Sequence, residues 1–405
     1  MLSVLTEGDE MIDDSEQYLV YASDYRLNVD GDEPLGPISA EVVAEAKTTP
    51  EEKKKLFVCR FFNQNAFRHI ALLAGAGTSV MCGGKIRDGL WDTCEEAIKD
   101  IGQFFPKKHE EFVGEKDIES FLSYAIQYEA INKNTKLAEF IGGVKRAIRQ
   151  ACTLTLSGRA HEEMMRKLTA RKSTLPRVEI FTTNYDTLFE QAARNAGTII
   201  IDGFSFWRRR TFSGRFFDLD IVDRERTRGK AEENYLPNVI HLHKLHGSLD
   251  WISDGDAVVQ REVSDSEEPL IIYPSKDKYA ESYDQPYFEM MARFQSVLRK
   301  KECLLIVAGY GFGDKHINSA IIEAVRQNPS FHLLILDFGG EVTKSSGRQM
   351  RAIDLELFQK VFTGIRSNIT IIQGDFAGFV EAMPLNQAYR IEELVDSFAN
   401  RGRGM

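Results

Sequence analysis

A short apolar run at residues 70–74 breaks into Gly75-Ala76-Gly77-Thr78-Ser79. The run has the length and composition of a buried strand. A strand that ends in glycines and hydroxyls brings backbone N–H groups against a phosphate, and glycine at 75 and 77 allows close approach and frees φ. The plain alternative is a tight strand-to-helix turn without a ligand, and Gly-x-Gly alone does not separate the two. A second group, Thr183-Asn184-Tyr185-Asp186, follows another apolar run, 178–182. An amide and a carboxylate two residues apart at a strand end suit the hydroxyls of a ribose; either one also suits the start of a helix over 187–196.

The third group is Leu245-His246-Gly247-Ser248, at the end of a strand candidate, 239–245. His241 and His243 share one face of that strand and His246 falls on the other, which argues against a three-histidine metal site. His246 reads instead as an acid/base group at a strand end, with Gly247 giving access to backbone. The fourth group, Gly309-Tyr310-Gly311-Phe312-Gly313-Asp314-Lys315-His316, follows the apolar run 304–308. Its plain reading is again a tight turn, yet two such turns on separate strands suit a dinucleotide. Asp337 closes a further apolar run, 331–336, where an acid either caps or reaches a ribose.

These groups need a frame. Nearly continuous apolar runs are strands buried on both faces of a parallel sheet. Helical periodicity fills residues 90–170 and 317–326 between them, and an apolar segment spans 199–206. The alternation predicts an α/β fold, a doubly wound, mainly parallel Rossmann-like sheet with a helical insertion. The expected division is an acidic N-terminal arm at 1–50, the α/β domain at 51–89 and 176–385, a helical insertion at 90–175, and a tail at 386–405. Residues 207–236 read as a long loop or a β-hairpin excursion rich in arginine. Acids at Asp218, Asp220, Asp223 and Glu225 interrupt those arginines, so direct nucleic-acid binding is not expected.

The charge is unevenly placed. Residues 1–50 carry twelve acids and two bases, Arg26 and Lys47, which leaves 49 of each sign in the other 355 residues. Such a segment is either a solvated acidic tail or an arm docking on a partner or neighbouring subunit, anchored by apolar patches at 18–21 and 38–43. No apolar stretch approaches a membrane span, and the N-terminus lacks the pattern of a secretory signal. The five cysteines contain no Cys-x-x-Cys pair, which points to a reducing cytoplasm and away from a four-cysteine zinc site.

Taken in order, Gly75–Ser79, Thr183–Asp186, Leu245–Ser248 and Gly309–Asp314 resemble a sirtuin-like domain over about residues 55–380. They are most similar to the sirtuin-like NADases of bacterial anti-phage defence, and size suggests the partner of a HerA-type ATPase or translocase. The resemblance implies NAD+ as substrate and cleavage of the nicotinamide–ribose bond. It makes Asn184 and His246 catalytic. It places NAD+ against Gly75, Ala76, Gly77, Thr78, Ser79, Arg87, Asp186, Gly247, Ser248, Gly309, Tyr310, Gly311, Asp314 and His316. It implies a homo-oligomer and no metal. The sequence departs from protein deacylases in lacking their zinc module, and its loop Gly83-Gly84-Lys85-Ile86-Arg87-Asp88 has no proline. Two other readings stand beside it: an NAD or ADP-ribose sensor with little turnover, and a deacylase or ADP-ribosyltransferase.

Overall fold

The computed structural model describes residues 18–22, 26–28, 49–223, 235–264, 267–273, 285–338 and 368–385. The expected apolar patch at 38–43, the arginines at 224, 226 and 228, Glu225 and the tail at 386–405 lie outside the described residues. The chain divides into two compact units, Met1–Ala71 with Ser296–Leu385, and a second built on Leu72–Gln295.

In the first unit the strand order is β2 (Arg26–Asn28), β1 (Tyr18–Ala22), β12 (Ile369–Gln373), β11 (Phe331–Asp337), β10 (Cys303–Ala308), β3 (His69–Ala74). β10, β11 and β12 run parallel, with Ala308 opposite Leu336 and Asp337 opposite Gln373. All six residues of β10 are buried, as its unbroken apolar sequence requires. Helix α1 (Pro50–Gln64) starts at a reciprocal cap: the Thr49 hydroxyl accepts from Glu52 N and the Glu52 carboxylate accepts from Thr49 N. It buries Val58 and Phe61. The patch at 18–21, expected in an acidic arm, is a sheet strand: β1 pairs antiparallel with β12, Val20 opposite Ile372, and with β2 on its other side.

The second unit continues from the end of β3 through β4 (Val178–Thr182), β7 (Val239–Lys244) and β5 (Ile199–Ile201). β7 lies parallel to both neighbours, with Thr182 opposite Lys244 and Ile201 opposite His241. Counting β3 once, seven parallel strands flanked by helices make the Rossmann-like α/β fold. The apolar segment 199–206 is strand only to Ile201. There the Asp202 carboxylate accepts from Phe204 N and pairs with Arg210 at 2.7 Å, which turns the chain out of the sheet. The excursion beyond it contributes β6 (Arg210–Thr211) to a small antiparallel sheet with β9 (Ala257–Gln260) and β8 (Trp251–Asp254).

The helical segment of this unit comprises α2 (Arg87–Thr93), α3 (Glu95–Ile98), α4 (Ile101–Phe104), α5 (His109–Glu115), α6 (Ile118–Asn132) and α7 (Thr135–Cys152). α7 buries Leu137, Ile141, Val144 and Ile148, one stripe at helical spacing. Its start is capped by Asn134, whose side chain accepts from Lys136 N and Leu137 N. The core these helices share includes Phe105, Phe121, Leu122 and, from outside the segment, Tyr185 and Ile271. The helices therefore pack against the residue that follows Asn184.

Candidate functional site

Three parallel strands of the second unit end at one level. Thr183 N donates to Ala74 O at 3.1 Å, and Leu245 N donates to Thr182 O at 2.8 Å. Gly75, Asn184 and His246 leave the sheet immediately beyond these bonds, on strands spaced by about 4.8 Å. This is the carboxyl edge, where open α/β sheets bind ligands.

The glycine turn is built differently from its sequence expectation. Gly75 is extended, at φ −117° and ψ −172°, and neither Gly75 nor Gly77 has a positive φ, so backbone conformation does not demand glycine there. Close approach is the remaining physical reason for it. Ala76–Thr78 and Val80–Cys82 form two 3-10 turns. They use the N–H groups of Thr78 and Ser79, which donate to Gly75 O and Ala76 O. The hydroxyls are also engaged: Thr78 Oγ1 donates to Gly75 O at 2.8 Å and Ser79 Oγ to Asp186 Oδ2 at 2.7 Å.

Asn184 is buried, and its Nδ2 donates to Gly75 O, Ser79 Oγ and Thr78 Oγ1 at 3.0, 2.9 and 3.3 Å. A backbone carbonyl only accepts, so the amide nitrogen must face Gly75 and the orientation of the side chain is settled. Oδ1 is then the group left for a ligand. Asp186 takes the capping role: its Oδ1 accepts from Leu188 N at 3.1 Å at the start of helix α9 (Leu188–Ala196). Of the two readings of this motif, the start of a helix falls to Asp186 and not to Asn184.

His246 is also buried, and its carbonyl accepts from Ile272 N. Gly247 has φ +82°, and a Cβ there would overlap Leu270 O, so no other residue fits. Ser248 is fully buried, with its Oγ accepting from Lys244 Nζ at 2.8 Å. Lys244, which the sequence reading did not single out, joins the two loops. Its ammonium donates to Asp186 O, Tyr185 O, Ser248 Oγ and, at 3.0 Å, Glu190 Oε1. Burial lowers its pKa, but Glu190, Asp250 and Asp186 outweigh that and hold it above the usual lysine value. Burial raises the Glu190 carboxyl, and Lys244 only partly offsets this.

Below the strand ends, Glu179 stands directly opposite His241 in the β4–β7 register. Its carboxylate contacts His241 Nδ1 at 3.2 Å and His243 Nε2 at 2.6 Å. His243 is sandwiched between Phe181 and Phe217, with ring centroids 4.5 and 4.3 Å away. Burial raises the Glu179 pKa, yet the two histidines overcome it and hold the group well below the usual carboxylate range. Burial lowers His243 against the pull of Glu179.

The fourth motif belongs to the first unit. Gly309 has φ +62° and Phe312 has φ +54°. Asp314 caps helix α11 (Lys315–Gln327), accepting from His316 N at 3.1 Å. Tyr310 Oη donates to Asp314 O and Asn318 Oδ1, and Asn318 Nδ2 donates to Phe312 O. The space where Gly311 and Gly313 would carry a Cβ is open. Arg87 begins helix α2, and its side chain lies outside the described residues.

Residues 178–357 match the SIR2-like domain. The match supports the sirtuin-like family, whose domains bind and use NAD+. It contains Asn184, Asp186, His246 and the Gly309–His316 turn; the glycine turn at 75–79 precedes it. No curated protein matches the chain. No described helix is long and apolar enough to cross a membrane.

Proposed function

We propose that this chain is an NAD+ glycohydrolase that releases nicotinamide and ADP-ribose. The observation that carries the proposal is Asn184, whose Nδ2 is engaged by Gly75 O, Ser79 Oγ and Thr78 Oγ1 so that Oδ1 is the group left to a ligand, at the same sheet level as His246. The SIR2-like match supports NAD+ as the substrate.

The pyridinium of NAD+ leaves as neutral nicotinamide when its bond to ribose C1′ breaks, so the leaving group needs no proton. The barrier lies in the oxocarbenium-like ribose and in placing water against it. Asn184 Oδ1 accepts a hydrogen bond from a ribose hydroxyl or from the attacking water. His246 takes the proton released as the water oxygen bonds to C1′, and passes it to solvent. Main-chain groups of the Gly75–Ser79 turn line the pyrophosphate. Within the same proposal, the enzyme depletes NAD+ in anti-phage defence, works in the cytoplasm as a homo-oligomer, and is gated by a HerA-type ATPase.

The test is nicotinamide release from NAD+ by the purified chain, with and without the ATPase. His246→Ala and Asn184→Ala are expected to lower turnover by about 10²–10⁴-fold. Near-wild-type turnover in either folded variant defeats the assignment. Tight NAD+ binding without turnover in both conditions supports a sensor instead, and turnover requiring an acylated peptide supports a deacylase.

A further inference from the structure

The face of β4 and β7 below the strand ends carries a cluster that the proposed reaction does not use. Glu179, His241 and His243 each bring one ligand atom within 4.8 Å of the others. We propose that these three side chains bind one divalent transition-metal ion of the zinc class, which clips β4 to β7.

The donor set is the first argument. Two imidazoles and a carboxylate suit zinc and its neighbours, whereas magnesium and calcium prefer oxygen alone. Placement is the second. His241 and His243 alternate onto one face of β7, and Glu179 lies opposite His241 in register, so all three converge without a loop to order. The ring of His243 is already oriented by stacking between Phe181 and Phe217.

Charge is the third argument. The Glu179 carboxylate meets two imidazoles, at 3.2 and 2.6 Å. The Arg293 guanidinium nearby lies over the Phe217 ring at 4.8 Å and pairs with Glu289 and Asp218, so its charge is engaged elsewhere. A cation among the three ligands compensates the half-buried carboxylate. On binding, the ring nitrogens that face Glu179, His241 Nδ1 and His243 Nε2, become the ligand atoms, and the ring protons sit on the outer nitrogens. Bonds to the ion replace the imidazole contacts with Glu179, and the outer atoms, His241 Nε2 and His243 Nδ1, are buried without a partner, so carrying the protons there displaces none. An ion has a way in, because the Glu179 side chain keeps 20% of its surface exposed.

Glu179 precedes Asn184 by five residues and His243 precedes His246 by three, which is about 10–17 Å along the strands. The ion is therefore structural and separate from the proposed hydrolysis, and its test needs no NAD+. The full chain, stripped with a chelator, is incubated with Zn²⁺ or Co²⁺ and desalted. Metal content and the visible Co²⁺ spectrum are then recorded, with melting temperature followed in parallel. About one ion per chain, an intense low-symmetry Co²⁺ spectrum and a higher melting temperature with Zn²⁺ are expected. Glu179→Gln and His241→Gln, checked for folding by circular dichroism, should each bind at least about tenfold more weakly. Substoichiometric metal, a weak octahedral Co²⁺ spectrum in the wild type, or equal binding by a folded variant overturns the proposal and leaves a hydrogen-bonded cluster only.

Discussion

Asn184 has no freedom to flip, because the carbonyl of Gly75 accepts and cannot donate. The same contacts make it structural, so Asn184→Ala should remove turnover and also lower unfolding free energy by about 1–3 kcal/mol. Urea unfolding alongside the turnover assay separates the two effects. Lys244 is the more consequential residue for stability. It is fully buried, and it ties the Tyr185–Asp186 carbonyls to Ser248 and Glu190. Lys244→Met should cost about 3–5 kcal/mol, because it leaves buried acceptors and Glu190 without their cation. Adding Glu190→Gln should recover part of that loss. A double-mutant cycle showing strict additivity would remove the pair from the account.

Among the elements, β1 changes how the N-terminal segment is understood. Its acids suggested a tail or a docking arm, yet Val20 is buried and β1 covers the side of β12. Residues 369–372 are buried, three of them isoleucine, and stripping β1 would leave an unpaired strand edge. A chain lacking residues 1–46 is therefore expected to melt at lower temperature and to self-associate more. Light scattering and thermal scans check this; an unchanged melting point and an unchanged mass would show that β1 is dispensable. The loops after β4 and β7 are held differently, by cross-bonds such as Leu249 N to Tyr185 O and Tyr185 Oη to Ile272 O. The helical core against Tyr185 adds apolar burial behind the site.

At the scale of the whole molecule, each unit hides an imidazole whose pKa burial drives down to about 4. These are His332 in the first unit and His161 in the second, where Asp186 partly opposes the shift. Between about pH 6.5 and 4 the unfolded chain takes up protons at these positions that the folded chain refuses. Stability present above pH 6.5 is thus lost as the pH falls through that window, by up to about 2–3 kcal/mol per imidazole. His332→Phe and His161→Phe should each flatten the fall in urea midpoint between about pH 7 and 4.5. Slopes identical to wild type would contradict this. The formal charge of −10 equals the imbalance of residues 1–50 alone, so any attraction of that segment to a basic partner should weaken with salt.

The apolar runs 304–308 and 331–336 announced buried parallel strands because a strand covered on both faces has few polar positions to spare, and the less continuous apolar stretches at 178–182 and 239–245 marked two more. The glycine and hydroxyl groups after them marked the strand ends, and with them Asn184 and His246. Local sequence could also state that Asn184 or Asp186 caps a helix, since capping is a matter of a few residues. It could not say which one does, because the choice depends on Gly75 O and Ser79 arriving from another strand. Burial of Lys244, the meeting of Glu179 with His241 and His243, and the pairing of β1 with β12 were likewise invisible. Each joins residues tens to hundreds of positions apart, and only the register of neighbouring strands brings them within bonding distance.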